Sequence, residues 1–270
     1  MKNALFSGFA ISALLIAAPL SGASAADLPY KAPPPPPPVY NWTGCYVDAG
    51  VGYGMYNQDH YQETWPAGVA FTQTTTDGGK GWLGRVGVGC DYQAGKFVLG
   101  AFADYDFASI SGTNNVPNPI FAPVGVGVYG NEKETAEWAI GGRAGYLITP
   151  SLLAYVDAGY TEARFSGIHL YTDTIPPVDT LTYMNANTYH GWFVGGGDEY
   201  QLGWFPGLFW RSEYRYAQYN STDLPCQTFG GLCPIIGDFS WAEHTKKEVQ
   251  TATTSLVWRF NWGGPVAARY

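Results

Sequence analysis

Beyond residue 25 the chain has no run of the ~20 apolar residues that a membrane-spanning helix requires, so a membrane crossing would have to be made by strands. Charge is scarce too: only 13% of residues are Asp, Glu, Lys or Arg, with a net charge of −8. No basic stripe is present to neutralise phosphates, which argues against nucleic acid as a partner. Catalytic signatures are also missing. There is no G-x-S-x-G. The glycine-rich "VGGGDEY" is followed by neither Lys-Ser/Thr nor a helix, which excludes a phosphate loop. The four histidines, His60, His169, His190 and His244, fall in or beside long connecting segments. Without a strand-borne His sharing a face with a hydroxyl and a carboxylate, and without H-x₃-H spacing, the sequence leads us to expect no catalytic residue, no metal and no cofactor.

Aromatics and glycine, by contrast, are abundant: 16% of residues are aromatic, with 20 Tyr and 10 Trp, and there are 35 Gly. A chain so rich in aromatics is not disordered, and it lacks the Leu and Ala periodicity of helices. It reads as all-β.

The first 25 residues, "MKNALFSGFAISALLIAAPLSGASA", carry Lys2, a short apolar run and a closing Ala23-Ser24-Ala25. These are the parts of a cleaved secretory signal. Residues 26–41 follow as a spacer whose six consecutive prolines favour extended polyproline II. From 42 to 260 eight segments alternate with period two: 42–54, 81–92, 97–107, 137–148, 152–163, 191–200, 209–219 and 250–260. Residues 261–270 form a C-terminal extension.

The connections alternate in length. "QAGK", "TPS" and "QLGWFPG" are short, whereas those after the first, third, fifth and seventh segments are long, polar and rich in Gly, Pro, Asn and Thr. A soluble meander has no reason to gather every long loop at one end, but a transmembrane barrel with short periplasmic turns and long extracellular loops does. The expected fold is therefore an eight-stranded, antiparallel, up-and-down transmembrane β-barrel with four long extracellular loops.

Sorting the strand faces supports this reading. One face carries Val47, Val51, Tyr53, Trp82, Val88, Tyr92, Trp138, Tyr160, Trp210 and Tyr214, with aromatics toward the strand ends, as in interfacial girdles around a lipid band. The other carries glycines and nearly all strand charge. "FWRSEYRYAQY" is thus inside out, with Arg211, Glu213 and Arg215 turned inward and Trp210 and Tyr214 turned toward lipid. An ion network filling the lumen is expected from Arg85, Asp104, Glu137, Arg143, Asp157, Glu199, Arg211, Glu213 and Arg215, with Asp48, Asp91 and Asp106 on the same face. Gly87, Gly100, Gly141, Gly195 and Gly197 leave these long side chains room. Eight strands enclose a lumen that side chains can fill, which excludes a wide pore. Asp198, Glu162 and Arg164 have lipid-side parity but lie near strand ends, where charge costs little.

Four cysteines in an exported chain suggest disulfides, with three possible connectivities. Cys226 and Cys233 flank a short segment that looks stapled, which leaves Cys45 with Cys90. That pairing would set Val47 opposite Val88, Ala49 opposite Val86 and Tyr53 opposite Trp82, aligning two girdle aromatics.

"WTGCYVDAGVGYG", "GWLGRVGVGCDYQ", "FADYDF", "GRAGYL", "GWFVGGGDEY" and the closing "LVWRF", after a proline-rich lead-in, resemble the alphaproteobacterial outer-membrane β-barrels of the Omp25/Omp31 type, within the OmpA-like barrel superfamily. The resemblance spans the whole mature chain. It implies an abundant, non-enzymatic surface protein that supports envelope integrity, embedded among outer-membrane lipid and lipopolysaccharide and inserted by the barrel assembly machinery. It also implies a link to peptidoglycan, because mature termini beginning Ala-Asp can be joined to it; cleavage after Ala25 would present Ala26-Asp27. The separate peptidoglycan-binding domain of OmpA itself is not expected. Chains of this kind commonly stop at the last strand's Phe, here Phe260, yet ten residues follow to Tyr270, so the assembly signal could be either. Two other readings compete: a lipid-modifying barrel enzyme, and a barrel that binds a surface ligand such as haem.

Overall fold

Eight long strands follow one another around a closed ring in the computed structural model of the chain, which describes residues 40–116, 126–205, 207–233 and 240–260. The signal segment, most of the spacer with Ala26, and the extension with Tyr270 lie outside the described residues. The strands are β1 (Gly44–Trp65), β2 (Thr75–Ala94), β3 (Phe97–Val116), β4 (Val128–Thr149), β5 (Leu152–Phe165), β6 (Asn187–Gln201), β7 (Leu208–Tyr219) and β8 (Ser240–Phe260). Each pairs antiparallel with its neighbour in sequence, and β1 pairs with β8 to close the ring. Closure leaves no sheet edge in hydrocarbon, where an unpaired N–H or C=O group would cost several kcal/mol.

Burial alternates along every strand, and the alternation has the inverted sense. In β7, Arg211, Glu213 and Arg215 are buried, whereas Trp210 is 48% and Tyr214 52% exposed. The outer wall carries exposed Val47, Val51, Val86, Val88, Leu99, Ile140 and Val156 between the rings of Tyr53, Trp82, Trp138 and Tyr160 above and Tyr92, Phe97, Tyr146 and Tyr200 below. Tyr53 and Trp82 meet edge to face, with centroids 5.2 Å apart.

Cys45 and Cys90 are bonded, and the register around them places Val47 opposite Val88, Ala49 opposite Val86 and Tyr53 opposite Trp82. The turn between β2 and β3 needs only Gly95 and Lys96. Gly95 sits at φ 64°, a conformation open to glycine and costly for residues with a Cβ.

Above the outer girdle the long connections are largely strand. β1 runs on to Trp65 and β2 starts at Thr75, so the wall stands well clear of the membrane. Over this rim an apolar cluster forms from Val116, Val128, Ile168, Leu170, Met184, Leu224 and Trp241, with the bonded pair Cys226 and Cys233 buried inside it. It packs hairpin segments Ile168–Thr172 and Asp179–Met184 against the ribbon Thr222–Pro225. At the periplasmic end another cluster gathers Trp42, Tyr46, Val98, Leu153, Tyr155, Phe209 and Val257.

Candidate functional site

The lumen is where the charge of the chain converges. Arg85 grips Asp106 with two parallel hydrogen bonds, both 2.7 Å, and donates a third to Glu213 at 2.6 Å. Arg215 makes the matching fork to Asp104, at 3.0 and 2.8 Å, and also donates to Glu213. Lower down, Glu199 accepts from Arg143, Arg211 and Arg259, and Asp91 is shared by Arg143 and Arg259. Asp48 takes the remaining donor of Arg211, at 3.1 Å. Forked guanidinium–carboxylate pairs are the geometry in which buried charges best offset one another's loss of water.

The floor of this network is aromatic. Arg143, Arg211 and Arg259 lie over the ring of Tyr46 at 4.7 to 4.9 Å, a cation–π arrangement. Arg259 also covers Trp42 and Phe209. Trp42 itself is fully enclosed, and its indole N–H donates to the Pro150 carbonyl at 3.2 Å. The first residues after the spacer therefore end as a plug in the periplasmic mouth.

Room for so much side chain comes from glycine. A Cβ at Gly87 would lie 2.7 Å from Asp48 Oδ2, and one at Gly100 would collide with the Asp91 carboxylate. The space left among Tyr46, Asp48, Arg85, Asp104, Arg143 and Glu213 is about 10 Å³, about one water probe.

Of the lumenal residues expected from sequence, Arg85, Asp104, Arg143, Glu199, Arg211, Glu213 and Arg215 meet in this network. Glu137 and Asp157 face inward but form no ion pair among the described residues. Glu137 accepts a hydrogen bond from Thr161 at 2.8 Å, and Asp157 lies beside Glu213. Arg259, which closes the lower network, was missed. Its signal was the alternation Trp258-Arg259-Phe260 in the least regular segment.

A second polar group fills the upper barrel and corrects the expected placement of the histidines. His60 lies in β1, His190 in β6 and His244 in β8. His60 is completely buried, with Nε2 3.1 Å from both Asp77 Oδ2 and Thr75 Oγ1, and Nδ1 3.5 Å from Glu243 Oε2. Burial disfavours the charged ring, but the carboxylates of Glu243 and Asp77 outweigh it and raise its pKa. His60 stands seven residues above Tyr53, outside the lipid-facing band. Hydroxyl, imidazole and carboxylate thus do share a face. The Thr75 hydroxyl, however, competes with Asp77 for one enclosed ring nitrogen, so the group knits β1, β2 and β8 together rather than presenting a nucleophile. Nearby, Lys247 Nζ donates to Gln58 and to Glu132, the latter at 2.7 Å, within the rings of Phe165, Tyr189 and Tyr56.

On the outside of the same rim, Glu63, Asp223 and His244 bring three potential ligand atoms within 4.8 Å of one another. Their wide spacing in sequence gave no signal of this. They meet because β1 pairs with β8, and β8 with the ribbon Thr222–Pro225.

The model of the outer membrane protein β-barrel domain matches residues 12–263. Among solved structures, OprG of Pseudomonas aeruginosa is similar, at 13% identity with a TM-score of 0.52, the match covering 82% of this chain and 98% of OprG. The attachment invasion locus protein Ail of Yersinia pestis matches at 7% identity and a TM-score of 0.33, covering 80% of this chain and 99% of that one. The outer membrane protease OmpT of Escherichia coli matches at 10% and 0.37, covering 80% and 97%. No curated protein sequence matches the chain. With its closed eight-strand ring, apolar outer wall and matching domain, the chain belongs to the outer membrane protein β-barrel family and resides in the bacterial outer membrane.

Proposed function

We propose that this protein is a non-enzymatic structural barrel of the Omp25/Omp31 kind, which supports envelope integrity and is tethered to peptidoglycan through Ala26. The observation that carries the structural reading is the filled lumen. Interlocked Arg–carboxylate pairs leave about 10 Å³ between them, too little for a permeant solute or a substrate. The tether draws support from the other end of the chain. Trp42 is locked into the periplasmic mouth by Pro150, Phe209 and Arg259, so a pull on the spacer is borne by the barrel itself. Lipid and lipopolysaccharide are the partners its outer wall suits, and the barrel assembly machinery is the partner that would insert it.

Peptidoglycan digestion tests the tether. A fraction of the protein should be released only after the glycan is cut and should carry muropeptide on Ala26; a free amino terminus in every copy refutes it. Planar-bilayer recording tests the filled lumen. No steady conductance is expected, and an open pore in the wild-type barrel refutes the structural reading.

A further inference from the structure

Glu63, on the outer face of the extracellular rim, is a largely buried residue whose carboxylate has no donor among the described residues. The residue is only 4% exposed, yet its carboxylate accepts no hydrogen bond and makes no ion pair among the described residues. A carboxylate partly withdrawn from water and left without a donor favours a cationic partner. Its neighbours make matters worse before they help: Asp223 adds a second negative charge, and only His244 could supply a positive one.

The arrangement fits a cation. His244 and Asp223 are directly paired across β8 and the ribbon Thr222–Pro225, with Nδ1 2.6 Å from Oδ1. Glu63 reaches the same point from β1, two residues beyond Tyr61, which pairs with His244 and stacks on its ring at 4.8 Å and 19°. The imidazole is thereby held in a fixed plane by a group that does not itself coordinate. One imidazole and two carboxylates, borne on three adjacent strands with ligand atoms within 4.8 Å, form a borderline N/O donor set. That set suits Zn²⁺ and similar transition cations; Ca²⁺ and Mg²⁺ prefer oxygen alone.

We propose that Glu63, Asp223 and His244 form a binding site for one Zn²⁺-class divalent cation on the outer face of the extracellular rim. The cation takes a lone pair from His244 Nδ1 and one oxygen from each carboxylate. The proton between His244 and Asp223 passes to solvent from an imidazolium, or is replaced by one on Nε2 in a neutral ring. The ligand is the neutral, Nε2-protonated imidazole in both cases. A fourth position stays open to water on the side facing the medium. The bound ion adds a further tie between β1, β8 and the Thr222–Pro225 ribbon, beyond their strand pairing.

The test uses the untagged mature chain folded in detergent micelles, titrated with Zn²⁺ against a chromophoric chelator, with Co²⁺ absorption as a second readout. One Zn²⁺ per chain is expected, Co²⁺ should give a low-coordinate visible spectrum, and millimolar Ca²⁺ should not displace the ion. His244→Ala and Glu63→Gln should each weaken binding by about tenfold or more. His190→Ala, which removes an exposed imidazole paired with Glu162 elsewhere on the wall, should leave binding unchanged. Asp223→Asn lies outside the eight barrel strands and gives a ligand variant that leaves the barrel intact, with folding followed by heat-modifiable gel mobility. The proposal is overturned if no saturable Zn²⁺ binding occurs, if Ca²⁺ displaces Zn²⁺, or if His190→Ala weakens binding as much as His244→Ala.

Discussion

Asp198 and Glu199 are consecutive in β6, yet Asp198 stands exposed on the outer wall while Glu199 is fully enclosed among three guanidiniums. A single peptide step separates the outer wall from the centre of the ion network. Glu199→Ala strands Arg143, Arg211 and Arg259 with too little negative charge, and removing one partner of a buried pair costs about 3–5 kcal/mol. Asp198→Ala should change stability by less than about 0.5 kcal/mol. Urea unfolding of the two variants in micelles distinguishes them, and equal effects would contradict the placement.

Val88 lies on the outer wall midway between the girdles, 54% exposed and opposite Val47. Val88→Lys should destabilise the barrel by about 2–4 kcal/mol in a lipid bilayer, the cost of a cation at midplane depth. Val69→Lys, beyond the outer girdle on a short strand paired with β1, should cost little. Folding titrations into lipid vesicles measure both. A harmless lysine at 88 would mean that this surface does not face hydrocarbon.

The bond between Cys45 and Cys90 spans 45 residues and ties β1 to β2 at the periplasmic end. Replacing both cysteines with serine should lower stability by about 2–4 kcal/mol, chiefly by freeing the unfolded chain, while the barrel still closes. Thermal unfolding with far-ultraviolet circular dichroism reports both. The pair Cys226–Cys233 closes only a short loop in the extracellular cap, and its removal should leave the barrel transition unchanged.

His60 gives the upper barrel a pH dependence. Its folded pKa is raised above 6.5 because Glu243 and Asp77 outweigh burial. A group with a raised folded pKa contributes stability that is fully present below the unfolded value and is lost as pH rises through the folded one. Wild-type stability should therefore fall as pH climbs past 6.5, and His60→Gln should flatten that slope. Unfolding free energies across this range check it; parallel slopes for the two proteins would contradict the assignment.

How much of this was legible in the sequence depended on contrast between the faces. Inside the lipid band every second side chain must be apolar, so "FWRSEYRYAQY" announced both its strand and its inverted sense. The Cys45–Cys90 register followed from the same parity. Above Tyr53 both faces meet polar surroundings, and "NQDHYQE" carries no period-two contrast, so β1 read as loop where it is strand. Lys247 and the imidazole of His60 were hidden for that reason. Trp42 looked like the start of a strand and proves to be a plug, because an aromatic at a strand end can belong to either wall. Glu63, Asp223 and His244 meet through barrel closure, which no local spacing encodes.

The account stands on hydrocarbon lying outside the wall and ionic groups within it. Nitroxide scanning across residues 209 to 216, in a background with the native cysteines replaced and the barrel in bilayers, tests this most directly. Labels at 210 and 214 should be highly accessible to oxygen dissolved in lipid, whereas labels at 211, 213 and 215 should be immobile and shielded from both oxygen and a water-soluble relaxant. Oxygen accessibility that peaks at 211, 213 and 215 instead would contradict it.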